Sequence, residues 1–217
     1  MGALWHYFVV NHQQIQGWAV TTIWLAAVPL AAGLALALPA GWAASRFRWS
    51  YPPLVSLAGA LYTIPSLVLF LVLPGILGTT ILATANVAVA LTVYTFALLV
   101  RVVADSLSAV PAGTLAAASA MGYTDRQRLL VVQLPLAVPV IGAGLRVAAV
   151  SNLSLVSVAS IIGTSQLGQL FIVGSNLGTL TPIVAGLVCF LILALCFDLL
   201  IQLVIRVLAP WQRAVAA

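Results

Sequence analysis

Five apolar runs, each long enough to cross a bilayer, divide this chain of 217 residues, and the charges between them can all be placed on one side. A helix needs about 20 mainly apolar residues to span the hydrocarbon. The runs are 18–44, 53–74, 84–104, 136–162 and 183–205. Every basic residue is an arginine: Arg46, Arg48, Arg101, Arg126, Arg128, Arg146, Arg206 and Arg213. Thread the runs alternately from outside, and Arg46 and Arg48 follow the first while Arg101 closes the third. Arg126 and Arg128 fall in the next inner loop, Arg146 in the inner half of the fourth run, and Arg206 and Arg213 beyond the fifth. Segments 1–17, 75–83 and 163–182 carry no Lys, Arg, Asp or Glu. Such a bias sets orientation by the positive-inside rule. The expectation is an all-α integral membrane protein of five transmembrane helices. Its N-terminus lies outside, its C-terminus inside, and residues 1–217 form one membrane domain.

Composition excludes several other classes. With 64% hydrophobic and 5% charged residues, the chain is too apolar for an ordinary soluble domain. The net charge of +5 reports topology, not a nucleic-acid partner, because no dense basic patch exists. A cleaved secretory signal is not expected: the start lacks a basic region, and the first run exceeds a signal core of about 7–15 residues. Trp18, Trp42, Trp49 and Trp211 suit the interfacial aromatic belts. Cys189 and Cys196 are seven residues apart in one run. On a helix that is about 10.5 Å, beyond the roughly 7 Å within which Cα atoms can be bridged. No metal site is expected, since His6 and His12 lie far from both cysteines.

The segment between the third and fourth runs, 105–135, is too long for a simple turn. Connections are usually about 4–6 residues, and longer ones carry structure or function. Pro111 suits a helix start, and the Ala-rich run 115–120 favours helix. Gly122 suits the position just past a helix end. Thr124 or Asp125 can cap a second helix, and Pro135 and Pro139 punctuate the approach to the fourth run. The expectation is helix–turn–helix on the inner face.

This loop resembles a known motif. Ala116-Ala117-Ala118-Ser119-Ala120-Met121-Gly122, with Leu134-Pro135 a dozen residues on, resembles the cytoplasmic loop of binding-protein-dependent ABC importer permeases. Tyr62-Thr63-Ile64-Pro65-Ser66, Ile162-Gly163 and Leu167-Gly168 look like the osmoprotectant branch, which moves glycine betaine, choline, carnitine or proline betaine. Amino-acid and methionine permeases share much of the pattern and remain the alternative. The resemblance implies a permease subunit in a bacterial inner (plasma) membrane. Two ATPase subunits would sit beneath it, a substrate-binding protein outside, and a second permease beside it. It implies ATPase coupling through Ala116, Ala117, Ala118, Met121, Gly122, Asp125 and Arg126. Ala116 stands where relatives usually have Glu, which removes a charge from the docking surface. Pairing with a different permease that carries the Glu is favoured over a homodimer. The chain itself is expected to bind no cofactor and to hydrolyse nothing; it lacks lysine and so lacks a Gly-Lys phosphate loop. ATP and magnesium belong to the partner ATPase.

Polar residues within the runs supply the path candidates. Pro65 removes a backbone donor and should kink the second span, with Tyr62, Thr63 and Ser66 around the kink. Ser151, Ser154, Ser157 and Ser160 follow a three-residue ridge, with Asn152 beside it. Such hydroxyls serve close helix packing or line a water-filled path, and the sequence leaves both open. The path candidates are thus Tyr62, Thr63, Pro65, Ser66, Asn152, Ser154 and Ser157. Asp198 is the one acidic residue within a run; it is read as pairing with Arg146 or Arg101 or reaching the inner headgroups, with a gate charge as the alternative. Segment 163–182 is expected to re-enter the membrane or to be buried. A secondary transporter would need paired broken helices in internal repeats, and no second copy is evident. A membrane enzyme would need a His, Asp and Glu constellation that the runs lack.

Overall fold

The computed structural model describes residues 2–47 and 49–211. Arg48, Arg213 and the C-terminal Ala217, which enter the topology reading, lie outside them. The helices, in order, are α1 (Gly2–Val10), α2 (His12–Arg46), α3 (Tyr51–Thr63), α4 (Ser66–Leu77) and α5 (Thr84–Ser108). They continue with α6 (Ala112–Ala120), α7 (Asp125–Gln127), α8 (Leu134–Val158), α9 (Gln169–Leu177) and α10 (Leu180–Leu208). An all-helical bundle follows from the solvent. In lipid every backbone polar group must be satisfied within the chain, and a helix does so locally. Among the described residues, four stretches are long and apolar enough to cross: α2, α5, the run from Asp125 to Val158, and α10. The pair α3 and α4 completes a fifth only if its bend is counted as one span.

The centre is α5 against α2. Gly33, Ala37 and Gly41 recur every four residues on α2, and all three are buried. Small residues on one helical ridge let two backbones approach closely. A Cβ at position 33 would lie 2.5 Å from the Thr95 Cβ, and one at 41 would lie 2.6 Å from the Val103 Cγ1. Leu99, Val100, Val103, Leu107, Ala148 and Ala149 extend this core to α8. Buried Thr95 and Asn152 join α5 to α8 by two hydrogen bonds of 2.9 and 3.1 Å. Leu187, Leu191, Leu195, Leu199 and Leu203 form an exposed apolar stripe on α10. Such a stripe is suited to lipid.

The second span corrects the sequence expectation. Instead of a kinked helix over 53–74, the chain breaks, and α4 turns 100° from α3. The clash of a proline ring with the preceding residue drives that residue out of helix, and Ile64 is extended at φ −65°, ψ 127°. Proline alone does not force this, because Pro29, Pro39, Pro74 and Pro139 all sit inside helices. At the break, one tertiary and one local hydroxyl take up carbonyls. The Tyr94 hydroxyl donates to the Ile64 carbonyl, and Thr63 Oγ1 donates to the Ala60 carbonyl at 2.7 Å.

Segment 163–182 is buried only in part: Thr164, residues 166–168, Leu170, Gly174 and Pro182 are buried, Phe171 and Ile172 are half-buried, and 175–180 are exposed. Gln166, Leu167 and Leu170 have no exposed surface, and Thr22 on α2 accepts the Leu167 N–H at 3.0 Å. α9 packs on α10, with Phe171 stacked on Phe190 at 5.7 Å. Both cysteines are free.

Candidate solute path and coupling loop

The break between α3 and α4 opens a cavity of about 490 Å³. Tyr62, Thr63, Pro65 and Ser66 form one wall; Ser151 and Ser154 on α8 face them, and Tyr94 on α5 contributes as well. The Tyr62 and Tyr94 rings meet edge to face, 5.8 Å apart at 84°. Five of the path residues named from sequence therefore come together here: Tyr62, Thr63, Pro65, Ser66 and Ser154. The other two do not. Asn152 is buried in its bonds to Thr95. Ser157, one turn beyond Ser154, donates to the Ser154 carbonyl at 2.7 Å and does not line the cavity. Sequence reasoning missed Tyr94; its signal was a phenol in the middle of an otherwise apolar span.

A second cavity of about 510 Å³ shares Val150 and Ser151 with the first and reaches Arg146 and Asp198. A third, of about 230 Å³, shares Ala143 and Arg146 with the second and ends at Gln202 and Arg206. The three pockets thus follow one another along α8 from the helix break toward Arg206, and the middle one is largely apolar apart from Arg146, Ser151 and Asp198. Charged side chains at membrane depth need partners, and here they have them. Arg146 binds both carboxylate oxygens of Asp198, with Nη2 at 3.0 Å from Oδ2, and Gln202 Nε2 donates to Oδ2 at 2.6 Å. Of the two arginines named from sequence, Arg146 is the partner. Arg101 instead pairs with Asp105 one turn on, at 3.5 Å. The opposite side of the α8–α10 pair, toward α2, is a groove of about 450 Å³ lined by Leu, Ile, Val, Ala, Gly and Phe.

The loop forms the expected helix–turn–helix. Pro111 caps α6. Gly122 sits at φ +87°, its N–H bonds to the Ser119 carbonyl, and the Tyr123 N–H bonds to the Ala118 carbonyl. That pair of bonds is a Schellman ending. Thr124, not Asp125, caps α7, in a reciprocal box with Gln127. The helix then widens to a π-helical stretch over Arg128–Gln133 before α8. Pro135 has no N–H with which to continue an i−4 ladder, and a π turn relieves that mismatch. Asp125 binds Arg46 of α2 at 3.0 Å and Arg128 at 3.1 Å, and Arg128 reaches Ser119 of α6 at 2.8 Å. These exposed ion pairs tie the loop to α2, a link that sequence reading did not foresee. Ala116, Ala117, Met121, Gly122, Asp125 and Arg126 are exposed, whereas Ala118 is 1% exposed and faces the rest of the chain.

The chain matches the family described as binding-protein-dependent transport system inner membrane component over residues 31–210, and it belongs to that family. It is therefore an ABC transporter permease subunit. Among its relatives, the osmoprotectant import permease protein OsmW of Salmonella typhimurium is 30% identical over 208 residues, covering 94% of this chain and 96% of that protein. The choline transport system permease proteins OpuBD and OpuBB of Bacillus subtilis are each 30% identical, covering 81% and 87% of this chain and 77% and 85% of their own lengths. A solved chain of the inward-facing MetNI methionine ABC transporter superposes with a TM-score of 0.78 at 21% identity, covering 92% of this chain and 98% of that one. At that identity the likeness speaks to fold alone.

Proposed function

We propose that this subunit forms the membrane path of an ATP-driven importer for osmoprotectants such as glycine betaine, choline, carnitine or proline betaine. The observation that carries this reading is similarity along nearly the whole chain to a permease named for osmoprotectant import. The uncharged cavity at the helix break, which shares Val150 and Ser151 with the next pocket along α8, supports it as the place where solute passes. The orientation is N-terminus out, so that the α6 loop faces the cytoplasm. Two ATPase subunits dock there, binding ATP and magnesium and performing the hydrolysis. A substrate-binding protein docks on the opposite face. ATP drives transport only by favouring one permease state over another, and the rigid turn at Gly122 is suited to pass that bias from α6 to α8. A heterodimer is favoured. Bacillus subtilis has two differently named choline permeases, each 30% identical to this chain, and Ala116 is uncharged.

The test is uptake by proteoliposomes holding the co-purified complex, with its binding protein and internal ATP. Choline, glycine betaine and carnitine should accumulate, and methionine should not. Accumulation of methionine with no quaternary ammonium solute carried would refute the reading. Ala117→Trp, on the exposed side of α6, should abolish uptake without reducing affinity of the binding protein for solute.

A further inference from the structure

We infer that the cavity at the α3–α4 break is a transmembrane binding site for a quaternary ammonium group, with Tyr62 as its recognition element; this rests on the proposed solute class. A quaternary ammonium ion has no N–H to donate. It is held by aromatic faces and carbonyl oxygens that its methyl groups can touch, and an aromatic ring within about 6 Å attracts it through its quadrupole. The cavity is lined by Tyr62, Tyr94 and the backbone of the break, and none of its lining residues carries a charge to repel or trap the ion. Its volume of about 490 Å³ falls in the range of about 300–1,000 Å³ common to small-molecule sites.

Tyr62 remains 45% exposed on the cavity wall. Tyr94 is 4% exposed and meets it edge to face, so the ring of Tyr62 is braced by a buried neighbour that is itself tied to the Ile64 carbonyl. The break also frees main-chain oxygens. Among the described residues, no backbone or side-chain donor reaches the carbonyls of Tyr62 or Thr63. Non-helical backbone at membrane depth is tolerated where it lines a cavity, and Tyr62 and Thr63 both line this one. A weak site of this kind holds the head group at the helix-break end of the series of pockets that leads toward Arg146 and Asp198.

The experiment uses the permease–ATPase complex in lipid nanodiscs, with Cys189→Ala and Cys196→Ala removing the native thiols. A thiol introduced by Ser154→Cys, on the wall opposite Tyr62, is modified with neutral methyl methanethiosulfonate while tetramethylammonium is titrated. Tetramethylammonium should slow modification, and tert-butanol, its neutral counterpart in shape, should not. Tyr62→Phe should keep the protection. Tyr62→Leu should raise the half-protecting concentration roughly tenfold, the change expected for loss of a desolvated cation–π contact. No protection, equal protection by tert-butanol, or protection unchanged in Tyr62→Leu overturns the site. Uptake by the wild-type complex separates the two failures. If choline or glycine betaine is carried but tetramethylammonium does not protect, the site is wrong and the transport reading stands. If no quaternary ammonium solute is carried, both fall.

Discussion

Replacing Gly33 with alanine tests whether the α2–α5 contact sets the geometry of the bundle. The added Cβ would sit 2.5 Å from both Cβ and Cγ2 of Thr95. Carbon atoms in good contact lie about 3.5–4.0 Å apart, so the helices must part by roughly 1 Å or Thr95 must rotate. Either movement disturbs the Thr95–Asn152 pair, whose bonds of 2.9 and 3.1 Å hold α5 to α8. Overpacking a close contact costs about 1–3 kcal/mol. Gly41→Ala meets Val103 Cγ1 at 2.6 Å and Cβ at 2.7 Å and should cost a similar amount. Because both substitutions open one interface, the double variant should lose less than the sum. Gly17 and Gly59 have nothing within 4 Å of a built Cβ. Alanine at these positions should be neutral, or stabilise by up to about 1 kcal/mol through helix propensity. The assay is the temperature at which the detergent-purified complex loses its monodisperse chromatographic peak. At about 2–4 °C per kcal/mol, Gly33→Ala and Gly41→Ala should lower it by roughly 2–12 °C, with Gly17→Ala unchanged. If Gly33→Ala melts with Gly17→Ala, the close packing of these helices is not what holds the bundle.

Other outcomes follow from single residues. Gly122→Val places a β-branched residue at φ +87°, where an L side chain costs about 1–2 kcal/mol; ATPase stimulation by loaded binding protein should fall while assembly persists, and normal stimulation would show that the turn does not transmit. Asp198→Asn leaves Arg146 without a counter-charge but keeps the shape and hydrogen-bonding capacity. The yield of assembled complex should drop while the rank order of transported solutes stays the same, and a changed rank order with normal yield would make Asp198 a path residue. In a cysteine-free background, a thiol from His12→Cys should react with a membrane-impermeant reagent on whole cells and one from Ala217→Cys should not; the reverse pattern inverts the orientation.

The sequence by itself determined the class of fold and the shape of the loop. Spans are legible because lipid demands about 20 consecutive apolar residues with internally satisfied backbone, and that demand is written in one dimension. The α6 boundaries were equally legible, since Pro111 and Gly122 act through their own φ angles and need no distant partner. Contacts between residues far apart in the chain were not. That Arg146 and not Arg101 meets Asp198, that Asn152 is spent on Thr95, and that Ala118 turns inward depend on which helix faces pack together. The helix break shows the difference most clearly. Pro29, Pro39, Pro74 and Pro139 lie in the interior of a span or its bent half and remain within helices. Only at Pro65 does a neighbouring span supply a hydroxyl, from Tyr94, to take the carbonyl that an unwound turn exposes. A buried polar group left without a partner costs free energy, so the choice between kink and break lies with the surrounding tertiary structure and not with the proline.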